Sequence, residues 1–434
     1  MTDPVLEARV AALLENLERV GCSHQWFHEN LLPFAEADDQ LWGAVDMTIN
    51  LQVRNQCDAL NGVRDKLQKA PGNDPGARRE AWSSYMRIYD ESQDIFRECL
   101  ELVGGLAFRG MKLDEQIWRV AICQIADELI RSCALQSIAV PWNSLTVPAP
   151  EEALKQTLAR IIRLRFPEWT IWTLPFTAHE YGHVVAHERE DLHRLVREEA
   201  GRVVAQGAVG GDVAARALRA DYHAHEFFAD AFATYTMGPA YACAAIRLRF
   251  DPLTAYEDGA EHPGYAKRAA IVFGILRRMD EEAGMPAPYS DVRTMLEKDW
   301  GDMLACANPS IAAPNLADLD VLANTFWGGF KKVLRSTAQY PARGEEEGWA
   351  VAQQWEQVWR QRLQTPPLPE LDLKPTSKLR DVLNAAWLCR LDGGASSVTL
   401  IADAAHHQCG RIIEQRRQPR GPGNPPRPRR PPRG

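Results

Sequence analysis

The segment TAHEYGHVVAHE at 177–188 constrains this chain more than any other stretch. It contains His179, Glu180 and His183 in the order HExxH. On a helix the two histidines stand at i and i+4, so both imidazoles leave one face a turn apart. Two nitrogens so placed can grip one Zn²⁺, and the glutamate beside the first can reach a water on that ion. The pair is incomplete by itself. Zinc takes at least one more protein ligand, so the fold has to press a second ligand-bearing element against this helix.

The local sequence suits a helix from about Thr173 to Arg189, with no proline after Pro175. Thr177 and Glu180 also fit a capping box. Pro175 favours an earlier start, which leaves Glu180 free inside the helix. His187 lies a further turn along, but positions 179 and 187 are ~12 Å apart along the axis, too far to share one ion with ~2.1 Å bonds. His187 is therefore expected to be a surrounding or surface residue. The better third ligand comes 43 residues past His183, in HAHEFFADAFATY (223–235). Glu226 and Asp230 share a face there, so one can ligate zinc while the other accepts a hydrogen bond from the far nitrogen of a ligand histidine. Phe227, Phe228, Ala229, Ala231, Phe232 and Ala233 surround them, which is core-like sequence rather than a solvated acidic face. His223 shares the Glu226 face and is expected to line the site, whereas His225 points elsewhere.

HEYGH followed by ExxAD resembles the gluzincins, zinc peptidases with two His and one Glu as ligands. His262, Pro263 and Arg268 continue the likeness as HPxxxxR. That trio, in this order, is similar to the soluble core of the CAAX prenyl protease and HtpX class. ADAFA also looks like the ImmA/IrrE-type peptidases, and HEYGH alone like the thimet-type oligopeptidases. The shared motifs span only 177–268, and the membrane helices of the prenyl-protease class are missing from this sequence. The resemblance implies His179, His183 and Glu226 as zinc ligands, Glu180 as catalytic base, and His262 and Arg268 near the active site, with Asp230 and His223 in the surrounding shell. The mechanism so implied is attack of a zinc-held water on a peptide carbonyl, with Glu180 moving the proton. His262 is the first choice to steady the oxyanion, then Arg268, Tyr265 or His223.

Along the chain the pattern is mainly α. Trp42, Val45, Ile49, Val53, Leu60, Val63 and Leu67 form one apolar stripe, and 78–103, 113–135 and 151–165 show similar spacing. APGNDPG at 70–76, the Pro-rich 141–150 and ANPSIAAP at 307–314 break the pattern. Helical pattern resumes to about 362, and a last helical pair follows the proline-rich 365–376. Strand signal is confined to SIAVPW (137–142) and WTIWTL (169–174). The second is read either as an edge strand beside the HExxH helix or as a buried entry to it. The expected architecture is thus a multi-helical zincin-like core at 141–306 with at most a small β element. Helical regions at 1–140 and 307–415 flank it, and a disordered tail occupies 416–434.

Composition narrows the setting. Nine scattered cysteines with no CxxC pair argue for reduced thiols in a cytosol and against a disulfide scaffold. The longest apolar run, about Ala269 to Leu276, is far shorter than the ~20 residues that span a bilayer. The net charge of −8 conceals an arginine-rich, proline-rich tail, and the acidic body does not suit a nucleic-acid platform. Any nucleic-acid binding is assigned to the tail alone. The expectations are a cytoplasmic zinc metalloendopeptidase acting on protein or peptide, with helical flanks able to regulate it or bind a regulatory protein. The competing reading is a helical partner-binding protein whose zincin site is inactive or structural.

Overall fold

The computed structural model describes residues 6–7, 9–14, 16–17, 39–69, 75–109, 120–137, 146–149, 154–155, 161–165, 170–200, 213–307, 316–344, 346–364, 366–392 and 397–417. The chain is mainly α-helical, with one small sheet. Among the described residues, no helix is long and apolar enough to cross a membrane.

Two long helices, α1 (Asp39–Lys69) and α2 (Pro75–Arg109), form an antiparallel hairpin across the break expected at 70–76. Val53, Leu60 and Val63 of the apolar stripe are buried against Ala81, Tyr85, Ile88 and Ile95, with Leu6, Val10 and Leu17 added from the N-terminal helical stretch. The remaining stripe positions, Trp42, Val45, Ile49 and Leu67, have side chains outside the described set.

A separate and larger core begins at Val120 and continues to Ile413. It is continuous across 140 and 306, where composition suggested boundaries. Its first helix is α3 (Ile122–Ser137). Three short strands follow: β1 (Thr146–Ala149), β2 (Leu154–Lys155) and β3 (Ile161–Arg165), in the spatial order β1-β3-β2. β1 runs parallel to β3 with Thr146 opposite Ile162, and β2 runs antiparallel to β3. Thr146 fastens this sheet to α3, its N–H donating to Asp127 Oδ1 at 2.7 Å and its hydroxyl to the Cys123 carbonyl at 3.0 Å.

The strands correct the reading of 151–165 as helical. Leu154, Ile161, Ile162 and Leu164 suit a helix face by spacing, but pairing of β3 with Thr146–Ala149 and with Leu154–Lys155 decides the outcome. Of the two readings of 169–174, the described residues take the buried entry to the HExxH helix, a turn with Ile171, Trp172 and Leu174 in the core. Most of 137–142 lies outside the described residues, and Ser137 ends α3.

The rest of the core is helical: α4 (Phe176–Glu188), α5 (Glu190–Arg194) continuing as a π turn at Leu195–Ala200, α6 (Val213–Met237), α7 (Pro239–Ala244) and its π turn to Arg249, then α8 (Tyr265–Ala283), α9 (Ser290–Ala307), α10 (Ala317–Val333), α11 (Trp349–Arg360), α12 (Leu379–Asp392) and α13 (Val398–Arg417). The last two are the helical pair expected after 376. The tail beyond 417 lies outside the described residues.

The α4–α6 pair lies at the centre. Gly182 makes their close approach possible, since a Cβ there would stand 3.0 Å from Ala229 Cα. On its other side α6 packs Phe228, Phe232 and Tyr235 against Phe326 and Phe330 of α10, with ring centroids 5.1–6.1 Å apart in the closest pairs. Gly238, at φ 63°, turns α6 into α7, and any Cβ there would collide with the Tyr340 ring. The turn is held from outside by Asn384 of α12. Its amide donates to the Met237 carbonyl and its oxygen accepts from the Ala240 N–H, both at 2.9 Å. Strands β2 and β3 lie against α4.

Candidate metal centre

Helix α4 starts at Phe176 with Pro175 as its N-cap, so Glu180 sits inside the helix and is not a capping residue. The Thr177 hydroxyl donates backwards to the Leu174 carbonyl at 2.7 Å, which closes the first turn locally. His179 and Glu180 are buried and His183 is half-buried. The i, i+4 spacing brings His179 Nε2 and His183 Nε2 to 3.3 Å from each other.

Helix α6 brings Glu226 to these nitrogens. Its Oε2 lies 3.6 Å from His179 Nε2 and its Oε1 lies 3.4 Å from His183 Nε2. A tetrahedral zinc with ~2.1 Å bonds sets its ligand atoms about 3.4 Å apart. The two imidazole nitrogens stand near that edge length, and each has one oxygen of the Glu226 carboxylate at a similar distance, Oε2 for His179 and Oε1 for His183. A second observation fits the same ion: Glu226 Oε2 is buried and accepts no hydrogen bond, although Arg268 Nη1 lies 3.0 Å away as a misaligned ion-pair contact. The ligating atoms of His179, Glu180 and His183 lie within 4.8 Å of one another, which keeps the Glu180 carboxylate beside the ligands.

The far side of His179 is held as the sequence predicted. Its Nδ1 lies 3.0 Å from Asp230 Oδ1, one turn beyond Glu226 on α6. Such a carboxylate fixes the ring's orientation and presents Nε2 to the ion. Asp230 is fully buried, and Arg268 of α8 compensates its charge through two hydrogen bonds of 2.7 and 2.8 Å. With Nη1 on Glu226, all three guanidinium nitrogens are engaged.

The electrostatics follow from this arrangement. Burial raises the pKa of the Glu226 and Asp230 carboxyls, but the Arg268 charge and the histidines outweigh it and keep both lowered. Burial likewise disfavours a charged His179, and the two carboxylates overcome it, raising that imidazole to about 10. Each group is thus held by charge partners rather than by solvent.

His262 stands at the rim, its side chain 65 % exposed, with Nδ1 3.3 Å from Glu226 Oε1. That contact raises its pKa above the usual histidine value. His223 lies on α6 as expected, but its Nε2 is 3.1 Å from the Gly259 carbonyl, tying the 250–264 loop to the helix. Tyr265 packs on Phe250 at 5.3 Å. The structure therefore gathers His179, Glu180, His183, Glu226, Asp230, His262 and Arg268 into one site, with His223 as a loop anchor beside it.

Sequence reasoning missed Tyr241. Its hydroxyl donates to Asp230 Oδ1 at 2.5 Å and lies 3.2 Å from His179 Nδ1, while its ring stacks at 9° to the imidazole. No motif marks it, because it returns to the site only through the Gly238 turn. His187 and His225 also make an unanticipated contact, with ring centroids 4.5 Å apart. Burial lowers the His225 pKa to about 4, and the positive charges of neighbouring histidines add to the effect. His406 is buried with Nε2 on the Val120 carbonyl and His407 contacts Glu370, both remote from the site. His24 and His28 lie outside the described residues.

Comparisons with family models, curated proteins and solved structures return no match for this chain.

Proposed function

We propose that this chain is a zinc-dependent endopeptidase of gluzincin type, with His179, His183 and Glu226 as its metal ligands. One observation carries the reading. Two imidazole nitrogens from α4 stand 3.3 Å apart, the Glu226 carboxylate from α6 sets Oε2 3.6 Å from one and Oε1 3.4 Å from the other, and an orienting carboxylate lies behind one imidazole. That donor set of two imidazoles and one carboxylate suits zinc in a hydrolytic site.

When bound, zinc supplies a Lewis acid that acidifies water and polarises a carbonyl. Glu180, buried on the ligand face of α4, takes the proton of the attacking water and returns it to the leaving amine. His262 donates to the developing oxyanion through Nε2, since Glu226 occupies its Nδ1. Arg268 is a positioning residue, because its guanidinium is committed to Asp230 and Glu226. Tyr241 and Asp230 together hold the His179 ring. The helical flanks are left for substrate selection or for a regulatory protein, and a cytosolic setting fits the reduced cysteines.

The test compares proteome-wide cleaved termini produced by wild type and Glu180→Gln, with bound zinc measured on both. Retained zinc with lost termini supports the proposal. Equal cleavage by the two proteins refutes it. Zinc binding without cleavage by wild type on any peptide library would favour the partner-binding reading.

A further inference from the structure

A second group of histidines lies beside the first, on α4, α5 and α6. His187 ends α4, His193 lies on α5 and His225 directly precedes Glu226 on α6. One ring nitrogen of each falls within 4.8 Å of those of the other two. The rings of His187 and His225 are stacked at 16°, and His193 lies 6.0 and 6.1 Å from them by centroid.

The bland account is that three aromatic rings pack together as ordinary core. Hydrogen bonding argues against it. Both nitrogens of His225 are buried with no hydrogen-bond partner, and so is Nδ1 of His193. Leaving a buried polar atom unsatisfied costs roughly 1–3 kcal/mol, and such atoms are rare in folded proteins. Three unsatisfied nitrogens on two rings of one histidine cluster is an arrangement that stacking does not explain. Coordination explains it, because each imidazole nitrogen offers a lone pair in the plane of its ring.

We propose that His187, His193 and His225 form a second site for a divalent transition-metal ion, zinc foremost, distinct from the His179–His183–Glu226 site. Three imidazoles are an established zinc donor set, with one position left for solvent or a fourth ligand. Coordination requires His187 to turn out of its stack on His225, so that the in-plane lone pairs meet, and the nitrogens to close from within 4.8 Å to the tetrahedral separation of ~3.4 Å. His187 is exposed and His193 half-buried, so both can turn towards the fixed His225. Asp221, one turn before His225, is the carboxylate whose field reaches His187 and His225, and Arg197 holds it at 3.4 Å.

The position of the site gives it a consequence for the fold. His187 and His225 belong to the central helix pair, whereas His193 belongs to the short segment that leaves α4 after the Arg189 break. An ion here clips that segment, including the π turn at Leu195–Ala200, onto α4 and α6. Binding of this ion does not depend on peptidase activity.

The experiment is zinc titration of the full chain by equilibrium dialysis with elemental analysis, for wild type, His193→Ala, His225→Gln and His179→Ala. Wild type is expected to hold about two ions per chain, and each variant about one. With the first site removed by His179→Ala, the remaining ion should still raise the thermal midpoint, as ligand binding to the native state requires. Adding His193→Ala to that background should weaken the remaining binding by on the order of 100-fold or more, beyond what loss of a mere orienting partner costs. Full zinc occupancy in both His193→Ala and His225→Gln overturns the inference, as does complete loss of zinc in a folded His179→Ala. One ion in wild type, lost in His193→Ala and kept in His179→Ala, supports this site while refuting the first one. His193 is only half-buried, so its variant remains decisive even if His225→Gln does not fold.

Discussion

Two groups of buried polar side chains in the core use their hydrogen bonds differently. Around α12 and α13 the buried polar side chains bond to backbone. Arg380 donates to the carbonyls of Thr236 and Ala338, Asn384 to those of Met237 and Arg380, and Asp381 accepts from the Gly348 N–H. Around α4, α6 and α8 they bond to one another: His179 to Asp230, Asp230 to Arg268 and Tyr241, and Glu226 to His262 and Arg268. A side chain that satisfies backbone completes a fold. Side chains that satisfy each other, with two carboxylates and an arginine gathered behind two imidazoles, build a place for something else. The contrast is a physical criterion for separating scaffold from site without any relative to compare.

Variants can break this contrast, beginning with the largest effect. Glu180→Gln should lower peptide cleavage by about 10³-fold or more, in line with a lost general base, while denaturant midpoint and zinc content stay at wild-type values. Asn384→Leu should act in the opposite sense. It strands the Ala240 N–H and the Met237 carbonyl, at a cost of roughly 3–5 kcal/mol in urea denaturation, since each orphaned group costs about 1–3 kcal/mol. Cleavage per folded molecule should not change. If Asn384→Leu instead lowers specific activity with stability intact, the division between scaffold and site fails.

Asp230→Asn probes the boundary between the two. It keeps the shape but removes the charge that orients His179 and balances Arg268, so zinc affinity should fall about 10–100-fold in a chelator competition. The smallest effect belongs to His406. Burial lowers its pKa to about 4, below the ~6.5 of an unfolded histidine. The folded chain therefore binds fewer protons than the unfolded chain between those values. Its contribution is complete above about pH 6.5 and is lost as pH falls towards 4, by roughly 1–3 kcal/mol. Urea midpoints of wild type and His406→Gln across that window should converge as pH drops. Parallel curves would remove His406 from the scaffold's pH response.

Several of these features were legible in the sequence. The HExxH helix, the ExxxD helix and the role of Asp230 follow from i, i+4 geometry, which is local and needs only a helix to be realised. The helical pair after 376 and the core positions of Trp355 and Trp359 follow from the same periodicity. What escaped depends on chain reversals. Ile161–Arg165 is a strand because it meets Thr146–Ala149 on one side and Leu154–Lys155 on the other, and apolar spacing does not encode that pairing. Tyr241 reaches Asp230 through a left-handed glycine. His193 follows the Arg189 break, where the backbone at φ −99° and ψ 105° ends the register of α4. Beyond such a point helical phase carries no information about which side chains meet.

Gly182 occupies a variable position of the HExxH pattern, and catalysis has no use for its side chain. Its neighbour across the crossing, Ala229, tolerates a hydrogen there but is crowded by a methyl group, which would push the two helices apart by a few tenths of an ångström. Ligand bonds in a zinc site keep to within about 0.2 Å. The residue with the least chemistry in the motif thus sets the spacing of the proposed metal cradle, and an alanine there should register in ion affinity before it registers in folding.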